Sequence, residues 1–368
     1  MRPGLVTTTI HLPKLLEAYV DDAIANVHQD VLVVVAGDRK TPPEAKTWSQ
    51  ELAATHGVEL VFLDCDDQVS YLRRFPELGD HLPWNSIQRR NVAILLAYER
   101  CCEPIVTIDD DNFLLEPDFI GGHSIAGRRT ELPAFTSDTG WLNVCRELEE
   151  AHGVPFYHRG FPPGERWKDC QIEEQVVHGK VVVNAGLWLG DPDVDALQRL
   201  VYPIEATRYL RDGNFALGPG TWSPFNSQNT ALAREVIPGY FLSPLIGRYD
   251  DIWAAYVVCR VAEHLGHLIA FGRPVVRQDR NPHDYWKDLN LEREPMRVTD
   301  AFCRALRGID LRGSDYGMCL REITAGLELW LSDGAAGLSA DAVLPIRRAV
   351  DGFRVWDATM AEVGSMAA

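Results

Sequence analysis

The chain lacks most of the features that would assign it at a glance. Its eight cysteines contain no Cys-x-x-Cys pair and no regular spacing, which argues against a zinc ribbon, a thioredoxin-like redox motif or a disulfide framework. There is no Walker A loop, no Gly-x-Ser-x-Gly elbow and no Rossmann glycine fingerprint. No apolar run approaches membrane length, and the N-terminus carries no basic-plus-apolar signal, so a cytoplasmic protein without a membrane span is expected. Positive charge is also scarce: 36 Lys and Arg stand against 53 Asp and Glu, a formal charge of −17. A general nucleic-acid or anionic-membrane surface is thereby excluded. An acidic chain of this kind can hold a phosphorylated ligand only through a bound cation and a few local arginines.

What is present is an ordered α/β pattern. With 368 residues, 46% apolar content and ten Trp, the chain can bury a full core. Leu5 to Ile10 reads as a strand, followed by a helical face of Leu12, Leu15, Leu16, Tyr19, Val20, Ala23 and Ile24. Val31 to Ala36 is a buried-strand run, a helix is expected over Trp48 to Thr55, and Val58 to Leu63 is a third strand. A helix from Ser86 to Arg100 leads into a strand at Ile105. This alternation predicts a Rossmann-like, mixed and mostly parallel sheet flanked by helices. Asp38, Asp64 and Asp109 end three of these strands and would share one rim. Residues 115–295 are less regular and read as the acceptor-side half of the same domain, 1–295. Residues 296–368 read as a C-terminal helical region.

The most informative stretch is Ile105 to Phe113, in which four strand formers run into three carboxylates, Asp109, Asp110 and Asp111. Three like charges at a buried strand end are unfavourable unless a cation neutralises them. Oxygen ligands of this type suit Mn2+ or Mg2+, which usually hold a phosphate as well. The helix just before the triplet opens with Ser86, a plausible N-cap, then Arg89, Arg90 and Asn91. Two arginines in a first turn oppose the macrodipole, and they make sense if the helix start binds a diphosphate. A simple pairing of one of them with a nearby carboxylate stays open. A second carboxylate cluster, Asp250 and Asp251, starts a helix two residues after Arg248. Asp251 is expected to act as general base on an acceptor hydroxyl, with Asp250 orienting the substrate and Arg248 pairing with one of the two. In the segment Arg277 to Lys287, His283 is the candidate to complete a carboxylate–metal set.

These residues together resemble a family. The strand leading into Asp-Asp-Asp after an Arg-Asn-bearing helix looks like the nucleotide-sugar glycosyltransferases of the A-type fold. More narrowly, the chain resembles the reversibly glycosylated polypeptides, the plant UDP-arabinopyranose mutases. The matching stretches are Thr107 to Asn112, Arg159-Gly-Phe-Pro162 with Arg166, Gly186-Leu-Trp188-Leu189 with Pro192-Asp193-x-Asp195-Ala196, and Ile246 to Trp253. The resemblance implies that Asp109 and Asp111 bridge the ribose and a metal-bound diphosphate. It also implies that Arg159 and Arg166 match two family arginines, the first being the reversibly glycosylated position. The candidate catalytic residues are then Asp250, Asp251 and Arg159. Asp38, Arg89, Asn91, Asp109, Asp110, Arg166, Trp188 and Arg248 are the candidate substrate contacts, and Asp109, Asp111 and His283 the candidate metal ligands.

The expected activity is metal-dependent transfer of a sugar from a nucleoside diphosphate sugar, UDP favoured over GDP, to a small-molecule or glycan acceptor. A UDP-sugar pyranose/furanose mutase and a non-catalytic carrier of sugar on Arg159 stay open as alternatives, as does association into a homo-oligomer.

Overall fold

The computed structural model of the chain describes residues 2–281 and 283–367; residues 1, 282 and 368 lie outside the described residues. The strands are β1 (Gly4–Thr9), β2 (Leu32–Gly37), β3 (Glu59–Leu63), β4 (Ile105–Ile108), β5 (Asn112–Leu114) and β6 (Arg129–Ser137). They continue as β7 (Leu148–Glu150), β8 (Ile172–Gly190), β9 (Ala206–Tyr209), β10 (Phe215–Leu217), β11 (Asn229–Leu232) and β12 (His267–Gln278). The helices are α1 (Leu15–Ala25), α2 (Glu44–His56), α3 (Cys65–Leu72), α4 (Pro76–His81), α5 (Arg90–Glu99) and α6 (Phe119–Gly122). After them come α7 (Ala196–Val201), α8 (Asp250–Leu265), α9 (Tyr285–Gly308), α10 (Tyr316–Ser332) and α11 (Ala340–Ala367).

The N-terminal half forms a parallel sheet in the order β3-β2-β1-β4. Strands covered on both faces must be apolar along their length. Leu32 to Ala36 satisfies this, and so does Ile105 to Ile108 but for Thr107, whose hydroxyl donates to the Thr230 carbonyl at 3.1 Å. Beyond β4 the sheet becomes mixed. It continues β11-β8-β6-β10-β12-β5, with β11 antiparallel to both neighbours and β12 parallel to β8. The expected class is therefore present: a Rossmann-like mixed sheet flanked by helices, with a helical C-terminal region.

Two details differ from the sequence pattern. The apolar runs His267 to Phe271 and Val275 to Val276 are one strand, β12, interrupted by a register shift between Gly272 and Val276. Gly272 sits at a φ of +130°, which lets the backbone irregularity stay inside the strand. The helix expected from Ser86 begins instead as a short 3-10 turn, Ile87–Arg89, capped by Ser86, and becomes α-helical at Arg90. Helix α9 crosses the 295/296 boundary without a break, so the helical region starts at Tyr285.

Because β1 to β4 are parallel, their C-terminal ends lie on one rim, where open α/β sheets place ligands. The three acidic strand ends reach that rim with different commitments. Asp38 accepts backbone N–H groups of Arg39, Asn85 and Ser86, and Asp64 caps α3 through Asp67 while pairing with Lys46 at 2.7 Å. Asp109 pairs with Arg90 and lines a cavity.

Candidate functional site

A cavity of about 240 Å³ opens where the rim meets the start of α8 and the end of β12. Asp109 and Asp111 contribute one wall, Arg159, Asp193, Asp250 and Asp251 the floor, and Gln278, Arg280, Arg248 and His283 the remainder.

The acidic wall is a tight turn after β4. The turn is held by the Asp109 N–H, which donates to the Gln228 carbonyl at 3.0 Å, and by Tyr19, whose hydroxyl donates to the Asn112 carbonyl at 3.0 Å. Asp111 accepts from Gln278 at 2.7 Å, and burial together with the neighbouring Asp109 pushes its carboxyl up to about 6. Asp110 turns the other way, onto the Thr9 hydroxyl at 2.7 Å, and faces a separate cavity beside α1. The cation paired with the triplet is Arg90, not Arg89. Arg90 donates to Asp109 at 2.5 Å and to the Ser227 carbonyl at 2.7 Å while fully buried. Arg89 is buried elsewhere: it donates to Gln68 at 2.9 Å and to the Leu82 carbonyl, and its guanidinium lies 3.6 Å over Trp84. Burial lowers its pKa to about 10. Consecutive residues of a helix point roughly 100° apart, so only one of the pair can meet the strand end.

The floor is an ion-pair lattice. Arg159 donates through Nε to Asp193 at 2.9 Å, through Nη2 to both oxygens of Asp251 at 3.1 Å, and through Nη1 to the Arg248 carbonyl. Gly160 permits this approach, since its φ is +81° and a Cβ there would meet Ile252 of α8 at 2.2 Å. The two carboxylates hold Arg159 well above its ordinary pKa although burial opposes it. Burial would raise Asp193, but Arg159 and Arg280 hold its carboxyl well below the usual range.

Asp250 and Asp251 do open α8, as expected, yet their environments part. Asp251 is saturated by Arg159 and by the Ser227 N–H at 3.1 Å. Asp250 accepts one side-chain bond, from Gln88 at 2.8 Å, and burial plus the adjacent Asp251 raise it to about 7. A carboxyl titrating there suits proton exchange at neutral pH better than one locked in an ion pair. Of the two, Asp251 is the one held in an ion pair, and Asp250 is the one whose carboxyl is raised.

Several other sequence candidates are committed to partners other than those expected. Arg248 pairs with Glu292 at 3.0 Å and Asp288 at 3.4 Å on α9, not with Asp250 or Asp251, though it lines the cavity. Gly247, at a φ of +71°, makes that contact possible, because a Cβ there would strike the Leu291 carbonyl. The Asn91 side chain bridges α5 to Leu242, donating to its carbonyl at 2.8 Å and accepting its N–H at 3.1 Å, and is fully buried. Arg166 meets Asp195 at 2.5 Å and the Phe161 carbonyl, tying the 159–166 loop to the start of α7. Trp188 is a core residue of β8, 1% exposed and tilted against His158. Trp188→Ala is accordingly expected to cost about 3–5 kcal/mol of stability, read as a shifted urea midpoint.

His283 lines the cavity but commits Nδ1 to Asp288 at 2.8 Å. The three-ligand set of Asp109, Asp111 and His283 does not converge: among the described residues no group of three or more His, Cys, Asp or Glu side chains is placed to hold an ion. The two carboxylates alone still fit a hard divalent cation, because burial and mutual repulsion leave Asp111 short of negative-charge compensation.

Pattern reading missed Gln278, Gln228, Asp193 and Arg280. Arg280 is the most telling. Its Nε has no hydrogen-bond partner, and its nearest carboxylates, Asp193 and Asp191, stand at 3.6 and 3.7 Å. It lay in a segment already marked by its cations, but nothing in the local pattern distinguished it from Arg277, which is exposed and paired with Asp279.

Comparison with known proteins agrees with the motif resemblance. The family model described as "Reversibly glycosylated polypeptide" matches residues 175–342. The chain is 32% identical over 198 residues to the probable UDP-arabinopyranose mutase 1 of Pisum sativum, covering 52% of this chain and 50% of that protein. It is 35% identical over 119 residues to UDP-arabinopyranose mutase 1 of Arabidopsis thaliana, covering 30% of this chain and 32% of that one. The chain therefore spans half or less of the length of these relatives. A mannosyltransferase from Pyrobaculum calidifontis, solved with GDP-Man and Mn2+, superposes with a TM-score of 0.37 at 12% identity, over 100% of this chain and 86% of that one, too loosely to carry an argument. No helix among the described residues is long and apolar enough to cross a membrane.

Proposed function

We propose, from the similarity to the UDP-arabinopyranose mutases and the geometry of the cavity, that the chain rearranges the sugar of a nucleoside diphosphate sugar, a UDP-sugar before a GDP-sugar. The observation that carries this reading is the pairing of a carboxyl at about 7, Asp250, with a fixed Arg159 lattice in a cavity that ends on Asp109 and Asp111.

In this reading Asp109 and Asp111 would hold Mn2+ or Mg2+, whose positive charge would offset that of a diphosphate. Arg280, without a strong protein partner, is the side chain available to take up the remaining charge. Asp250 takes the proton of the sugar hydroxyl that bonds to the anomeric carbon and gives it to the ring oxygen as the bond from that carbon to the ring oxygen breaks, with Gln88 fixing its orientation. Arg159 positions Asp193 and Asp251 around the sugar. For Arg159 to carry the sugar itself, an Nη2–carbon bond must form as the carbon–diphosphate oxygen bond breaks. The displaced proton then has an acceptor in Asp251 at 3.1 Å.

The test is incubation with UDP-, GDP- and dTDP-sugars, with and without manganese, read by chromatography and mass spectrometry. The expected result is an isomer of unchanged mass from a UDP-sugar, formed only with the metal. Asp111→Asn is expected to weaken Mn2+-dependent UDP binding by about 10- to 100-fold, by calorimetry. Equal, metal-independent binding of all three nucleotides would overturn the reading.

A further inference from the structure

Three neutral amides join the two charged ends of the cavity. Asn226 and Gln228 lie just before β11, Gln278 closes β12, and all three side chains are buried. The Asn226 NH2 donates to Asp193 at 2.7 Å and to the Gln228 side-chain carbonyl at 2.9 Å. The Gln228 NH2 donates to the Gln278 side-chain carbonyl, and the Gln278 NH2 donates to Asp111 at 2.7 Å. The row therefore runs unbroken from Asp193, a partner of Arg159 on the floor, to Asp111 on the acidic wall.

Its orientation is dictated from the ends. A carboxylate only accepts, so the amides that touch Asp193 and Asp111 must turn their NH2 groups to them. Between those ends each NH2 meets a carbonyl, and bonds in such a row polarise one another. One member cannot turn alone without setting NH2 against NH2 and oxygen against oxygen in a dry place. The row thus has two self-consistent settings, the observed one and its reverse. Reversal would uproot few strong bonds. The Asn226 oxygen accepts from the Gln228 N–H at a long 3.3 Å. Asn112, which donates to the same Gln278 oxygen, can turn with the row, since its own oxygen accepts from the Asp109 N–H at 3.3 Å.

We infer that this row is a relay by which a divalent cation at the acidic wall resets the surroundings of Asp193 and Arg159 on the floor. The inference rests on the cation proposed for Asp109 and Asp111. Positive charge there cancels the pull of Asp111 on the Gln278 NH2, and the row turns over. Asp193 then faces an amide oxygen in place of an NH2 and is left to its cations, Arg159 at 2.9 Å and Arg280 at 3.6 Å. Gln228 and Gln278 are positioning residues in this scheme, and the floor reaches its working arrangement only after the wall is filled. A second link, from Arg90 through the Ser227 hydroxyl to Asp251, is pinned by charges at both ends and has no reverse setting.

The test titrates Mg2+ into the full chain, first alone and then beside UDP, and follows the Arg159 Nε–H by nitrogen–proton correlation NMR. That signal is identified by its absence from Arg159→Lys. In the unsubstituted chain it should move with the midpoint that calorimetry gives for Mg2+ binding. In Gln228→Met, which cuts the row at its centre, Mg2+ should still bind while the movement falls to about half or less, the remainder being the direct field of the ion. Met matches Gln in length, and Asn226 keeps Asp193 while Gln278 keeps Asn112 and Asp111, so no neighbouring amide is stripped of every partner. Asn226→Ala is the second cut, at the floor end, and should give the same loss. An Arg159 signal that ignores bound Mg2+, or that moves equally in the cut and uncut chains, overturns the relay alone. Absence of Mg2+ binding under both conditions overturns the proposed cation and the relay with it.

Discussion

Arg159→Ala is expected to remove turnover and to lower folding stability by about 3–5 kcal/mol, the usual result of stripping one partner from a buried ion pair. The replacement leaves Asp193 and Asp251 facing each other in a dry floor, and the Arg248 carbonyl loses its donor. Urea unfolding followed by tryptophan fluorescence reads the stability. An unchanged midpoint would mean that the lattice contributes nothing to the fold. Arg159→Lys separates charge from shape. It keeps a cation between the carboxylates but cannot reach both with a planar fork, so part of the stability should return without the turnover. If Lys restores both, Arg159 acts only as a counter-charge.

Asp250→Asn is expected to lower turnover by about 10²- to 10⁴-fold, the range for removal of a positioned acid–base group. Binding of the UDP-sugar should survive, since Asn still accepts from Gln88. The same replacement has a pH signature. In the folded chain the Asp250 carboxyl keeps its proton up to about 7, whereas in the unfolded chain it ionises near 4. Folding therefore takes up a proton between these values, and the stability associated with Asp250 is full below about pH 4 and lost as pH rises to about 7. The loss is on the order of 4 kcal/mol for a shift of this size. Asp250→Asn should flatten this part of the stability profile. A profile identical to that of the unsubstituted chain, with turnover intact, would remove Asp250 from the chemistry.

The parallel half of the fold was readable because its information is local. Val31 to Ala36 and Ile105 to Ile108 are strands by composition alone, and strand–helix alternation leaves little choice of topology. The acidic wall was readable for the same reason, three carboxylates in a row being conspicuous. What escaped was partner choice. Arg89 and Arg90 are indistinguishable in sequence, and only the register of α5 against β4 decides that Arg90 meets Asp109. Asp250 and Asp251 are likewise equivalent on paper; the 159–166 loop, arriving from far away in the chain, saturates one and leaves the other to titrate. Trp188 shows the reverse error. It belongs to a motif that carries the resemblance, yet it serves packing. Gln278 and Arg280 lay in a segment marked by its cations, but nothing singled them out within it, because their importance comes from the point at which β12 ends beside β8.

Helix α9 changes how the C-terminal region should be regarded. Its Asp288 and Glu292 grip Arg248, and Glu292 also receives the Ala196 N–H at the head of α7. The backbone of Arg248 in turn supports Arg159. A segment that contributes no conspicuous motif thus acts as a buttress, and its turns set the height of the floor on which the sugar would rest. Drift in the sequence of that helix would be felt first as altered alignment at the guanidinium, long before the sheet itself noticed.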